Sequence, residues 1–180
     1  MDLNKLQQQL ADEQQALPPV DQWDPPFCGD MDLVIKHDGS WQYHGSPIGR
    51  QSLVKLFASV LKREGENYFL VTPVEKLGIR VEDSPFVATQ WQRTDDGYLN
   101  FTTNVGDRFV LGDDHPIALF SDKTSSAILP YARVRRNLWA RLHQNVLYQL
   151  VHEASLEDGD TGQQLMLHSG PYSCSLGLTE

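Results

Sequence analysis

Cysteine is nearly absent: Cys28 and Cys174 are the two in 180 residues. They are too few for a disulfide scaffold and sit at no close metal-ligand spacing. A reduced, cytoplasmic setting is the expectation. Long hydrophobic runs are missing too; none approaches the ~20 residues of a membrane span, so no membrane role is expected. The polar, glutamine-rich stretch from Met1 to Leu17 lacks the basic and apolar regions of a secretory signal. Positive charge is short as well. Fifteen Lys and Arg face 24 Asp and Glu, a net charge of −9, so a nucleic-acid polymer or an acidic membrane would be repelled. Common signatures are also lacking: no Gly-x-x-x-x-Gly-Lys-Ser/Thr loop, no Gly-x-Gly-x-x-Gly, no Gly-x-Ser-x-Gly elbow and no His-Glu-x-x-His helix. What remains is a globular composition with no positive sign of an enzyme.

Charge is unevenly spread. Residues 1–30 carry six acids and one base, Lys5, whereas four of the nine arginines fall between Arg133 and Arg141. A basic spot within an acidic chain suits a small anion better than a polyanion.

Along the chain, Leu3, Leu6, Leu10 and Leu17 recur at helical multiples and predict an amphipathic helix of about four turns, with Asp2 as its cap. This helix either packs on the body or mediates association. Pro18-Pro19 and Pro25-Pro26 make residues 18–27 an extended arm. Met31, Leu33 and Ile35 alternate towards His37-Asp38-Gly39, then Trp41 and Tyr43 alternate away. A three-residue loop with Gly39 left-handed pairs Ile35 with Trp41 and Leu33 with Tyr43, and sets Asp32 opposite His44. Ser46 and Pro47 then read as the start of a helix whose stripe runs through Leu53, Val54, Phe57, Val60 and Leu61 to a stop at Gly65.

From Tyr68 to Phe120 short strands alternate, with an internal repeat at an offset of 30: Tyr68–Thr72 against Tyr98–Thr102, and Ile79-x-Val81 against Phe109-x-Leu111. A strand from Pro130 to Arg135 follows, then a helix over 136–152 on Leu138, Leu142, Val146 and Leu150, a polar loop over 156–162, and a closing hairpin around Ser169-Gly170-Pro171. The fold class is α+β, mostly antiparallel sheets in two related halves, each with a packed helix. The expected parts are an arm over 1–27, an N-terminal half over 28–94 and a C-terminal half over 95–180.

Chemistry concentrates in Tyr131-Ala-Arg133-Val-Arg135-Arg136. In a regular strand Tyr131, Arg133 and Arg135 share a face. Arg135 and Arg136 would then open the following helix, where an anion would gain guanidinium contacts and free N–H groups. The alternative is a structural ion pair with Glu82, Asp83, Asp113 or Asp114. Thr72-Pro73-Val74-Glu75-Lys76 and its repeat counterpart at 102–106 are polar loops that could flank one cleft. Asp32 and His44 form the sole candidate carboxylate–imidazole pair for an enzyme. No histidine pair lies within ligand reach: His143 and His152 are about 13 Å apart along a helix. No metal and no cofactor are expected.

Cys28-Gly-Asp-Met-Asp32, Asp38-Gly-Ser-Trp41, Gly45-Ser-Pro-Ile-Gly-Arg50, Thr72-Pro-Val-Glu-Lys76, Val81-Glu-Asp-x-Pro-Phe86, His115-Pro116 and Pro130-Tyr-x-Arg-Val-Arg135, taken together, resemble a bacterial family of the domain-of-unknown-function type over residues 23–177. The resemblance implies a duplicated α+β core, a C-terminal half like a pleckstrin-homology barrel, and a ligand site between the halves with a signalling role. Ser173 and Cys174 depart from it, standing where larger apolar residues are expected.

The leading expectation is a non-enzymatic, regulatory module that binds a small anionic, nucleotide-like or other phosphate-bearing ligand. Tyr131, Arg133 and Arg135 would hold it, with Glu75, Lys76 and His115 on the opposing loops. A protein-interaction module is the alternative, and an enzyme using Asp32 and His44 the third.

Overall fold

The structure, a computed structural model, describes residues 3–10 and 17–178. The chain divides into two units between Glu82 and Asp83, rather than between 94 and 95, which lies in a hairpin turn of the second unit.

In the first unit α1 (Leu3–Leu10) packs with α2 (Gln51–Ser59) and buries Leu6 completely. The packing reading of this helix therefore holds. Residues 11–16 and Asp2 lie outside the described residues, and Leu17 stands exposed beyond the helix. β1 (Phe27–Ile35) and β2 (Trp41–Tyr43) pair Ile35 with Trp41 and Leu33 with Tyr43. Lys36 N–H donates to Ser40 O at 2.8 Å, and Gly39 has φ +89°, so the three-residue loop is as expected. Ser46 and Pro47 do not open a helix. They form a short strand, β3 (Ser46–Pro47), and the helix starts at Gln51. Its stripe also stops early, because Leu61 pairs with Leu70 as β4 (Leu61–Glu64) turns at Gly65 into β5 (Asn67–Val71). β6 (Lys76–Val81) completes this meander and runs parallel to β1, giving the order β3-β2-β1-β6-β5-β4.

The second unit builds β7 (Phe86–Arg93), β8 (Leu99–Thr103), β9 (Arg108–Val110), β10 (Ile117–Ser121), β11 (Ile128–Arg135) and β12 (Leu138–Leu142), with β12 parallel to β7. Read as β9-β8-β7-β12-β11-β10, it repeats the first sheet strand for strand. The core is duplicated with β1 corresponding to β7. The 30-residue offset instead matched β5 with β8 and β6 with β9, because any second and third strands of a meander share the same alternation.

The helix expected over 136–152 is replaced by β12 and a shorter α3 (Gln144–Glu153). Leu138 and Leu142 are four apart, a spacing that satisfies both a period of two and one near 3.6. Ala140 decides: Leu138, Ala140 and Leu142 are all buried, with Trp139 and Arg141 more open. His143 is the N-cap of α3, its Nδ1 accepting from Asn145 N–H at 3.1 Å. The expected polar loop contains β13 (Ser155–Gly159), a strand with five exposed residues and no apolar period to reveal it. β13, β14 (Gly162–Ser169) and β15 (Tyr172–Leu178) form a third sheet, the last two being the expected hairpin. The whole is α+β and mostly sheet. No described helix is long and apolar enough to cross a membrane.

Cys174 on β15 is buried, and that burial pushes its thiol pKa from 9.0 up to about 11. Folding therefore favours the neutral thiol. Its contribution is intact below pH 9 and is lost as pH rises towards about 11. Tyr131, raised chiefly by burial and then by Asp83, acts in the same direction. Urea midpoints should fall across this window, and fall less for Cys174→Ala; a flat profile in the parent chain would refute the assignment.

Candidate ligand site on the first sheet

The arginine cluster is occupied by its own fold. Arg135 and Arg136 do not open a helix; they lie at the turn between β11 and β12, where Arg136 has φ +51°. A register shift between Arg133 and Arg135 also breaks the alternation. Arg133 pairs with Trp139 whereas Arg135 pairs with Leu138, so Arg135 leaves the face that Tyr131 and Arg133 share. Its guanidinium sits 5.0 Å over the Phe86 ring and 3.8 Å from Asp107, with 11% of the side chain exposed. Burial lowers its pKa while Asp107 opposes the loss of charge. Tyr131 is buried and donates to Asp83 Oδ2 at 2.8 Å. Arg133 Nη2 donates to the carbonyl of Asp114 at 2.9 Å, and His115 Nδ1 lies 3.1 Å from the carbonyl of Arg133. Tyr131, Arg133 and Arg135 thus each contact their own fold, at the Asp83 carboxylate, the Asp114 carbonyl and the Asp107 carboxylate. Of the ion-pair partners expected from sequence, Glu82, Asp83, Asp113 and Asp114, none is an arginine's carboxylate partner in these contacts. His115 and Arg133 tie the 112–116 loop to β11.

Asp32 is shared between His44 Nδ1 and Arg80 Nη2, each at 3.4 Å, and all three side chains are at least half exposed. This is a solvated cross-strand cluster. Glu75 closes the 72–75 loop: its N–H donates to Thr72 Oγ1 at 3.0 Å and its carbonyl accepts from Thr72 N–H at 2.8 Å.

Lys76 has a different setting. Its Nζ lies 2.6 Å from Glu64 Oε2 and 4.5 Å over the Phe69 ring. Lys62 Nζ approaches the same carboxylate at 3.7 Å and donates to Trp23 O at 3.2 Å. The Lys76 hydrogen bond is the main force lowering the Glu64 pKa. The β4–β5–β6 register puts Glu64, Lys62, Phe69, Lys76 and Gly78 on one face of the sheet. β1 adds Phe27 opposite Lys76 and Asp30 opposite Gly78. Register shifts flank Asp30, and Gly29 before it has φ +104°; this bulge aims the Asp30 carboxylate over Gly78. A Cβ on Gly78 would overlap Asp30 Oδ1 and lie 3.6 Å from the Phe27 ring. Phe27 and Phe69 meet edge to face at 6.0 Å.

An open hollow of about 310 Å³ here is lined by Phe27, Asp30, Phe69, Lys76 and Gly78, together with Asn67, Tyr68 and Ile79. Chemically it offers two aromatic rings, an exposed carboxylate and an ammonium in reach of one small molecule. Of the residues named from sequence, Lys76 alone belongs to it. Phe27, Asp30, Phe69 and Gly78 were missed, although a glycine inside the strand pattern 76–81 is a signal of close approach.

The fold and the hollow define a class: a duplicated, two-unit sheet protein with a ligand-sized recess on its first sheet. The chain belongs to the DUF1285 family. Residues 18–84 match the model for its N-terminal domain and residues 85–176 the model for its C-terminal domain, each described as of unknown function. It is similar to the crystal structure of a DUF1285 family protein from Silicibacter pomeroyi DSS-3, with 39% identity, 97% of this chain and 94% of that chain covered, and a TM-score of 0.86. It is also similar to one from Shewanella baltica OS155, with 30% identity, coverage of 68% and 92%, and a TM-score of 0.55. No curated protein matches.

Proposed function

We propose that this chain is a small-ligand-binding, regulatory module whose ligand seats in the hollow on the first sheet. The observation that carries this reading is Gly78, bare at the centre of a paired strand, with the carboxylate of Asp30 over it and the Phe27 ring beside it. A planar, donor-bearing group fits against Phe27 and Phe69, with its donors on Asp30 and an anionic end on Lys76. A nucleotide-like molecule combines these three properties, which keeps the phosphate-bearing class while moving the site away from Arg133 and Arg135. Free Cys28 and Cys174 are compatible with a reducing, cytoplasmic setting. The sheet β7–β12 followed by α3 supports reading the second half as pleckstrin-homology-like, a kind of domain suited to a signalling role.

The test is isothermal titration of the chain with adenosine and guanosine monophosphates, with inorganic phosphate alone as the comparison. A nucleotide should bind and phosphate should bind far more weakly. Asp30→Asn and Lys76→Ala should each reduce nucleotide affinity by about tenfold, the loss expected when a charged hydrogen bond of about 1.4 kcal/mol is removed. If neither nucleotide binds, or both variants bind like the parent, the reading fails.

A further inference from the structure

β13 forms one edge of the third sheet, and all five of its residues are exposed. Edge strands are ordinarily guarded by short length, by charged side chains, lysine above all, by proline, by a bulge or by a covering segment. The acidic charges of β13 guard it against everything but a basic partner. β13 contains neither Lys nor Pro, and its register with β14 is unbroken from Ser155↔Met166 to Gly159↔Gly162. Among the described residues no strand pairs with its other side. Leu156 stands opposite Leu165, on the face where Leu167 is 1% exposed. Leu156 itself is 58% exposed. An apolar row thus crosses the sheet and ends at an open edge.

Charge adds to this. No Lys or Arg follows Arg141, while Glu153, Glu157, Asp158, Asp160 and Glu180 do. Arg93 reaches Glu153 at 3.4 Å and His168 reaches Glu157 at 2.9 Å. Among the described residues no cation pairs with Asp158 or Asp160. Asp158 lies two residues from Leu156, on the same face of the strand.

We infer that β13 is a docking edge for an extended basic segment of a partner protein. The segment adds as a further strand, with an apolar side chain beside Leu156 and a Lys or Arg two residues away beside Asp158. Main-chain hydrogen bonds supply affinity, and the alternating side chains fix the register. Two copies of this chain suit each other badly here, because pairing β13 with β13 sets acidic residues of both strands together. The sign of the charge selects a basic partner.

The experiment titrates the full chain, at low ionic strength, into a fluorescein-labelled peptide of the repeat Val-Thr-Lys-Thr, which sets valine and lysine two residues apart on one face of a strand. The same repeat with glutamate in place of lysine is the control, and amide hydrogen exchange locates the contact. Saturable binding of the lysine peptide alone is expected, with slowed exchange over 155–159. The double variant Leu156→Asp, Asp158→Lys should weaken binding by about tenfold or more. Both positions are exposed, so an unchanged circular dichroism spectrum checks that the variant folds. No saturable binding, undiminished binding by the folded variant, or protection elsewhere overturns the inference. So does a dimer of the free chain protected at β13, which would make a second copy the occupant.

Discussion

Ser169→Ala is expected to lower the stability of the second unit by about 2–6 kcal/mol, at roughly 1–3 kcal/mol for each of the two buried polar groups left without a partner. Ser169 is fully buried at the end of β14. Its Oγ accepts from Leu99 N–H at 2.9 Å and donates to Leu111 O at 2.7 Å. One hydroxyl therefore joins the third sheet to the segments entering β8 and leaving β9. The neighbouring Gly170 N–H adds a bond to Gly97 O at 3.0 Å. Alanine removes both side-chain bonds and gains almost no apolar burial. Native stabilities are about 5–15 kcal/mol, so this is a large fraction. Urea unfolding followed by tryptophan fluorescence measures it. Ser173→Ala, on the exposed side of the same hairpin, is the control and should stay within about 0.5 kcal/mol of the parent. A Ser169→Ala loss no larger than that of the control would remove the hydroxyl from this role.

Gly78→Val should separate stability from binding. Gly78 has no positive φ and pairs within β6, a conformation that suits a β-branched residue. Replacing glycine in a strand interior should leave stability unchanged or raise it by up to about 1 kcal/mol. The new side chain would evict the Asp30 carboxylate and fill the hollow. Nucleotide affinity should then fall below detection while the melting temperature holds. Unchanged affinity would place the ligand elsewhere. A collapse in stability would instead mean that the glycine serves packing, and Asp30→Asn would then remain as the probe of binding.

The legible part of this fold was its period-two patterning with known turn chemistry. The β1–β2 hairpin followed from pairing apolar residues across Gly39, and the Ser169–Pro171 hairpin from its turn residues. Errors arose where one spacing satisfied two periods, as with Leu138 and Leu142, or where pairing alone makes the strand, as in β3 and β13. The candidate site was harder to see because it joins β1 to β5 and β6. Phe27 and Asp30 are more than thirty residues from Phe69 and Gly78, and only the parallel register places them together. Arg133 and Arg135 drew attention as a charged pair on one strand face. The register shift between them, invisible in a residue pattern, separates their faces.

In both six-stranded sheets the first strand of the sheet in chain order is hydrogen-bonded to the last, β1 to β6 and β7 to β12. Each meander can form from local contacts, but this seam joins segments roughly 50 residues apart and must wait for the sheet's final strand to be made. While the chain is being synthesised, the inner side of β1 therefore stays an open template until β6 emerges. The same exposure recurs at β7 until β12 is complete. Chaperone dependence during translation should accordingly come in two episodes, each ending as a parallel partner arrives.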